Sequence, residues 1–157
     1  NKYPRLGDFE VFHYTQLLLE MIRKGMMKLF GLEAKLTYHD PCFLGRYNGV
    51  YDAPREILRS IPGIELIEME RTRENSFCCG GGSGNFVMDL LGGSGESPSR
   101  VRVREAHETG AEILVVACPS CMAMLDDAVK DEGLEGELTV KDIAELVKES
   151  CQKGKAG

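Results

Sequence analysis

Ile113-Leu114-Val115-Val116-Ala117-Cys118-Pro119-Ser120-Cys121 is the stretch that decides the fold of this chain. Its first five residues form an unbroken apolar run, the pattern of a strand covered on both faces, as central strands of parallel sheets are. Pro119 suits the first position of a helix, and Met122, Met124, Leu125, Ala128 and Val129 carry that helix on to Gly133. A strand feeding directly into a helix, with Cys118 capping the junction, predicts an α/β domain with a mainly parallel sheet flanked by helices.

The rest of the chain fits that plan. Lys35 to His39 reads as a strand ending at His39-Asp40-Pro41-Cys42, where the proline disfavours helix at Asp40 and turns the chain. Asp52 to Ile61 reads as a helix with Asp52 as N-cap, Pro54 in its first turn and Pro62-Gly63 closing it. Ile64 to Met69 reads as a second strand. Before these, Thr15 to Phe30 is dense enough in apolar residues for a covered helix stopped by Gly31, its methionines filling the core.

After the strands, Asn85 to Leu91 reads as a short helix and Gly92 to Pro98 as a flexible connection. Ser99 to Thr109 reads as a polar helix stopped by Gly110, with Arg100, Arg102 and Arg104 as solvated surface. Leu138 to Val140 is a weak strand, and Thr139-x-x-Asp142 marks a last helix through Ser150 in the manner of a capping box. Cys151 shares a face with Ile143, Leu146 and Val147 and reads as a packing residue. His13 and His107 read as ordinary surface or core residues.

Ligands of parallel sheets gather beyond the carboxyl ends of the strands, where Cys42 and Cys118 fall. Phe77-Cys78-Cys79-Gly80-Gly81-Gly82-Ser83-Gly84 is expected at the same edge. Adjacent cysteines have Cα atoms about 3.8 Å apart, closer than disulfides prefer, so Cys78 and Cys79 look elsewhere for partners. The pattern C-x35-C-C-x38-C-x-x-C thus puts five thiols on three loops and points to a metal centre. Gly80 and Gly81 let backbone approach a bulky group and aim amides at anionic sulfur. The loop lacks the Lys-Ser/Thr of a phosphate loop and the third glycine of a dinucleotide site, so nucleotide binding is not indicated.

Three chemistries remain open on the residues alone. Zinc takes four thiolates and iron–sulfur clusters also use thiolates, while Cys118-x-x-Cys121 at a helix start is a dithiol oxidoreductase motif. No proline follows Pro119 to face the cysteines, as a thioredoxin-like fold requires. His39, beside Cys42, is the candidate catalytic residue, placed to donate a proton to a released thiolate or to hydrogen-bond a sulfur. Arg46 and Tyr47 are candidates for lining the site.

At 157 residues the chain, residues 1–157, is expected to form one domain. A net charge of −6 argues against a nucleic-acid partner. No apolar run approaches the roughly 20 residues of a membrane span, so direct membrane insertion is not expected. Paired cysteines in a chain with ample apolar content suit a reducing cytoplasm. Beginning at Asn1, the chain reads as a piece of a longer polypeptide.

His39-Asp40-Pro41-Cys42, Phe77-Cys78-Cys79-Gly80-Gly81-Gly82 and Ala117-Cys118-Pro119-Ser120-Cys121 resemble the cysteine-rich CCG domain of heterodisulfide reductase and its relatives. The likeness extends through Tyr38 to Asn48 and Ser99 to Ala106, and covers about Lys35 to Lys130. It implies the C-terminal CCG domain of an iron–sulfur protein that passes electrons. Cys42, Cys78, Cys79, Cys118 and Cys121 would hold a [4Fe-4S] cluster, noncubane in the heterodisulfide reductases, at which a disulfide is cleaved. It also implies iron–sulfur or flavin redox domains or subunits as partners, a membrane-anchored one among them, and a disulfide or thiol substrate. The spacing of 38 residues between Cys79 and Cys118 is slightly longer than the family usually shows. Some members use the motif for zinc or an ordinary cluster, and a zinc-filled structural or docking domain is the competing expectation.

Overall fold

A computed structural model describes residues 10–82, 84–88 and 94–154. The elements run α1 (Tyr14–Arg23), β1 (Ala34–Tyr38), α2 (Asp52–Ser60), β2 (Ile64–Leu66), a 3-10 turn (Arg73–Asn75), α3 (Asn85–Met88), α4 (Pro98–Glu108), β3 (Ile113–Val116), α5 (Pro119–Asp131), β4 (Thr139–Asp142) and α6 (Ile143–Lys153). The strands form one sheet in the order β2-β1-β3-β4, every pairing parallel. The expected α/β architecture is the one observed.

Alternation along β3 explains its apolar run. Val115 and Ala117 join a core that takes in Leu36, Tyr38, Ile57, Leu58, Ile143 and Leu146, whereas Leu114 and Val116 join a second core with Val103, Ala106, Leu125 and Val140. Helices α2 and α6 thus cover one face and α4 and α5 the other, and a strand buried on both sides has no polar face. The chain leaves β1 for β2 on one side and later returns as β3 on the other. The carboxyl ends of β1 and β3 therefore flank a topological switch point, the usual crevice of such sheets.

Several local readings are corrected. Helix α1 ends at Arg23, not Phe30, because Gly25 (φ +68°) donates to the Ile22 carbonyl and Met26 to the Met21 carbonyl, both at 2.9 Å. These two bonds satisfy the last carbonyls of the helix in a Schellman turn, so the stop is Gly25 rather than Gly31. Met26 is consequently exposed instead of filling the core. Tyr51, not Asp52, is the N-cap of α2, and the Asp52 carboxylate accepts from Arg73 Nη2 at 2.8 Å.

Strand β2 stops at Leu66, short of Met69. The box that opens α6 is Asp142-x-x-Glu145: the Ala144 amide donates to Asp142 Oδ1 and the Asp142 amide to Glu145 Oε2, both at 2.8 Å, while Thr139 begins β4. Arg102 is not solvated surface, since α4 buries it completely beside Val103 and Ala106. Cys151 packs partly buried against the first core. The expected end of the helix behind the glycine loop at Leu91, with Ser83, Gly92 and Gly93, lies outside the described residues.

Candidate metal centre

Each thiol reaches the switch point by a different local device. After β1, the His39 amide donates to the Val115 carbonyl at 2.9 Å, extending the pairing by one residue before Asp40-Pro41-Cys42 turns away. The Gly45 amide donates to the Pro41 carbonyl at 2.9 Å and the Tyr47 amide to the Cys42 carbonyl at 3.1 Å, which folds the segment carrying Cys42. Beneath it the Asp40 carboxylate accepts two bonds from buried Arg55 and one from the Arg73 amide.

Cys118 is the extended N-cap of α5 (φ −158°, ψ 128°), with Pro119 behind it in the first turn. Cys121, one turn on, lies on the same side and is buried. The adjacent pair divides its environment: Cys79 is buried and Cys78 exposed. Gly80, at φ +83°, turns its amide back to Cys78 Sγ at 3.2 Å. A Cβ at Gly81 would stand 3.0 Å from Met124 Cγ and 3.8 Å from Cys79 Sγ, so this glycine lets the loop close on α5.

A small cavity of about 20 Å³ is walled by Cys42, Cys78 and Cys79 with His39, Arg46 and Arg73. A second, of about 380 Å³, is walled by Cys42, Cys118 and Cys121 with Phe12, His13 and Gln16. Cys42 belongs to both. A ring nitrogen of His39 and the sulfurs of Cys79 and Cys121 all lie within 4.8 Å of one another. All five sequence-predicted thiols, Gly80, Gly81 and His39 are thus gathered at one edge of the sheet.

The thiols share charge unevenly. Hydrogen bonds from Cys121 and Cys78 hold the Cys79 thiol far below its ordinary value against the cost of burial, with His39 and the Gly81 amide assisting. The bond with Cys79 pushes Cys78 upward, and bonds with Cys118 and Cys79 push Cys121 upward. Cys118 is lowered to about 6, chiefly by its bond with Cys121, against burial, and with help from the Cys121 and Ser120 amides at the start of α5. The Tyr38 hydroxyl is buried without a hydrogen-bond partner among the described residues.

Arg46 lines the smaller cavity and donates from Nη2 to the Ser76 carbonyl at 3.0 Å. Tyr47 is instead exposed and stacks on Phe43, with ring centroids 5.0 Å apart. His13 caps α1, its Nδ1 accepting from the Thr15 amide, and its ring lines the larger cavity. His107 pairs with Glu137 at 2.9 Å on the surface. Sequence reading missed Tyr38, Arg55 and Arg102. For Arg102 a signal existed, because Ser99, Arg102, Val103 and Ala106 fall at the i, i+3, i+4, i+7 spacing of a buried helix face.

The fold and site define an α/β domain with a thiol-rich centre at its switch point. The chain matches the family of the CCG cysteine-rich domain over residues 36–126 and belongs to it. It is similar to the probable iron-sulfur-binding oxidoreductase FadF of Bacillus subtilis, 40% identical over 152 residues that make up 96% of this chain and 21% of the relative. It is 43% identical to one component of the dihydromethanophenazine:CoB–CoM heterodisulfide reductase of Methanosarcina barkeri, over 94% of this chain and 36% of that component. A probable membrane-anchored ferredoxin of Chromohalobacter salexigens is 45% identical over 90% of this chain and 21% of its own length. The chain therefore spans between about a fifth and about a third of these relatives. Among the described residues no helix is long and apolar enough to cross a membrane.

Proposed function

We propose that this chain is an iron–sulfur-binding domain of a heterodisulfide reductase-like oxidoreductase, with Cys42, Cys78, Cys79, Cys118 and Cys121 holding a [4Fe-4S] cluster. The observation that carries the reading is the convergence of five free sulfurs from three separate segments at the switch point between β1 and β3. The donor set fits the group. It supplies more thiolates than tetrahedral zinc uses, a glycine cradle that a Cβ at Gly81 would crowd, and amides directed at sulfur. Such a cluster, when bound, stores and releases single electrons.

The chain's own residues hold and shield. Cys79 and Cys121 anchor the inner side, Cys78 reaches the surface, and the Gly80 amide and the start of α5 offset negative charge. The cavity of about 380 Å³ beside Cys42, Cys118 and Cys121 has room for a small disulfide. Its reduction to two thiols takes up two electrons, supplied by a partner iron–sulfur or flavin domain, and two protons. In this reading the chain is the C-terminal CCG domain of a longer protein that works at the cytoplasmic side, joined to a membrane only through other segments or subunits. The part-length coverage of the relatives supports a place in a longer protein, and the membrane-anchored ferredoxin among them supports a membrane link made elsewhere.

The test is the iron, sulfide and zinc content and EPR spectrum of anaerobically prepared protein, native and with Cys79→Ser or Cys151→Ser. About four irons and four sulfides per chain, altered by Cys79→Ser and kept by Cys151→Ser, are expected. Stoichiometric zinc without sulfide after iron-replete expression overturns the reading in favour of a structural zinc domain.

A further inference from the structure

Arg102 makes an unusual use of a buried charge. From a fully buried position on α4 it donates Nε–H to His39 Nδ1 at 3.2 Å, Nη1–H to the Arg71 carbonyl at 2.8 Å and to Glu105 Oε2 at 2.9 Å, and Nη2–H to Ser76 Oγ at 3.4 Å. A guanidinium has donors only, so the nitrogen it faces must present a lone pair. In a neutral imidazole with Nδ1 bare, the proton stands on Nε2. His39 is itself 1% exposed.

The ring also stands close to sulfur. A ring nitrogen lies within 4.8 Å of both Cys79 and Cys121 Sγ, and the ring helps to lower the Cys79 thiol. Nδ1, occupied by Arg102, cannot donate to that sulfur, so the donor is Nε2–H.

We propose that Arg102 is a positioning residue: by taking the Nδ1 lone pair of His39 it fixes the Nε2–H tautomer and directs that N–H at Cys79 Sγ. His39 then serves the centre as a hydrogen-bond donor to a ligand sulfur and not as a metal ligand, although its place beside Cys79 and Cys121 has the look of a three-residue metal site. The link runs from α4, through the residue that follows β1, to the Cys-Cys loop. Its chemical effect is to favour the more negative state of whatever Cys79 binds, because hydrogen bonds to ligand sulfur raise a cluster's potential. The inference rests on the proposed ligand role of Cys79.

Two measurements test it separately from that role. In the reduced, metal-free chain labelled with 15N-histidine, a long-range proton–nitrogen correlation spectrum reads the protonation of each ring nitrogen. His39, assigned by its loss in His39→Gln, is expected with Nε2 protonated and Nδ1 bare; a protonated Nδ1 overturns the proposal. In the iron-loaded protein, Arg102→Met and His39→Leu are expected to lower the midpoint potential. His39→Gln, whose side-chain amide N–H reaches the place of Nε2, is expected to restore it toward the native value. An unchanged potential in His39→Leu and Arg102→Met, with iron content intact, also overturns it. If the native chain binds no iron, the functional reading fails while the nitrogen spectrum still decides the tautomer.

Discussion

Arg55 meets Asp40 in a two-point pairing, Nη1 to Oδ1 at 2.7 Å and Nη2 to Oδ2 at 2.8 Å, with both side chains out of solvent. The remaining guanidinium donors go to Glu68, Thr72 and the Tyr51 carbonyl. One side chain on α2 thereby ties the turn carrying Cys42 to the segment that leads into Cys78. Buried ion pairs stabilise little on balance, but leaving one member alone is costly. The pairing therefore acts on the geometry of the proposed metal centre more than on net stability.

Asp40→Ala leaves Arg55 short of its best acceptor. The expected loss is about 3 kcal/mol in urea unfolding, the lower part of the range for a broken buried pair because Glu68 remains. Asp40→Ala with Arg55→Met is expected to recover a measurable part of it. A single variant within about 0.5 kcal/mol of native, the range of ordinary surface substitutions, would show that the pairing is dispensable.

Glu68 predicts an acid limb. Burial alone would raise its carboxyl, but the hydrogen bonds and charge of Arg55, with the Thr72 hydroxyl, outweigh burial and hold it below 4.5. A carboxyl depressed in the folded state contributes stability that is full above its unfolded value and lost as pH falls through the folded one. The melting temperature should accordingly fall with pH on the acid side of 4.5, and Glu68→Gln should flatten that slope. Superimposable native and variant profiles would contradict this account.

Cys118 should react faster than Cys78 near neutrality in the reduced, metal-free chain, while Cys79, held lower still, is buried from the reagent. A value of about 6 makes Cys118 mostly thiolate at neutral pH, whereas Cys78, though exposed, is pushed upward by its bond with Cys79. Peptide-resolved iodoacetamide labelling should place half-maximal modification of Cys118 near pH 6. Faster labelling of Cys78 would reverse the order assigned to these two sulfurs.

Gly80→Ala tests the cradle. At φ +83° a side chain costs about 1–2 kcal/mol, and the new Cβ would stand 3.4 Å from the Ser99 amide nitrogen. Thermal unfolding should register that loss, and iron retention after gel filtration should fall with it. Gly82→Ala, whose Cβ meets nothing within 4 Å, is the control expected to keep both.

How much of this was legible in the chain follows from the range of the forces involved. The two-sided burial of β3 is written in five consecutive apolar residues, and the start of α5 in Cys118-Pro119, because both depend on neighbours a few positions away. The spacing of Cys42, Cys78, Cys79, Cys118 and Cys121 likewise marked the candidate centre, since strand ends in a parallel sheet bring such loops to one edge. The close of α1 was harder: Gly25 and Gly31 are both competent stops, and the choice fell to the bonds made by Met26 and Gly25.

The sequence by itself therefore determined the α/β plan, the parallel strands and the thiol set, all consequences of short-range pattern and backbone chemistry. Only the tertiary structure decided that Arg55 and Arg102 lie inside, that His39 stands between an arginine and a cysteine, and that the Tyr38 hydroxyl is buried without a partner among the described residues. An arginine's burial is set by the acceptors it can reach; the helix-face spacing hinted that Arg102 turns inward, but one of its acceptors, His39, lies 63 positions away. No local pattern carries that distance, because the cost of burying the charge is met only once the sheet and α4 are in place.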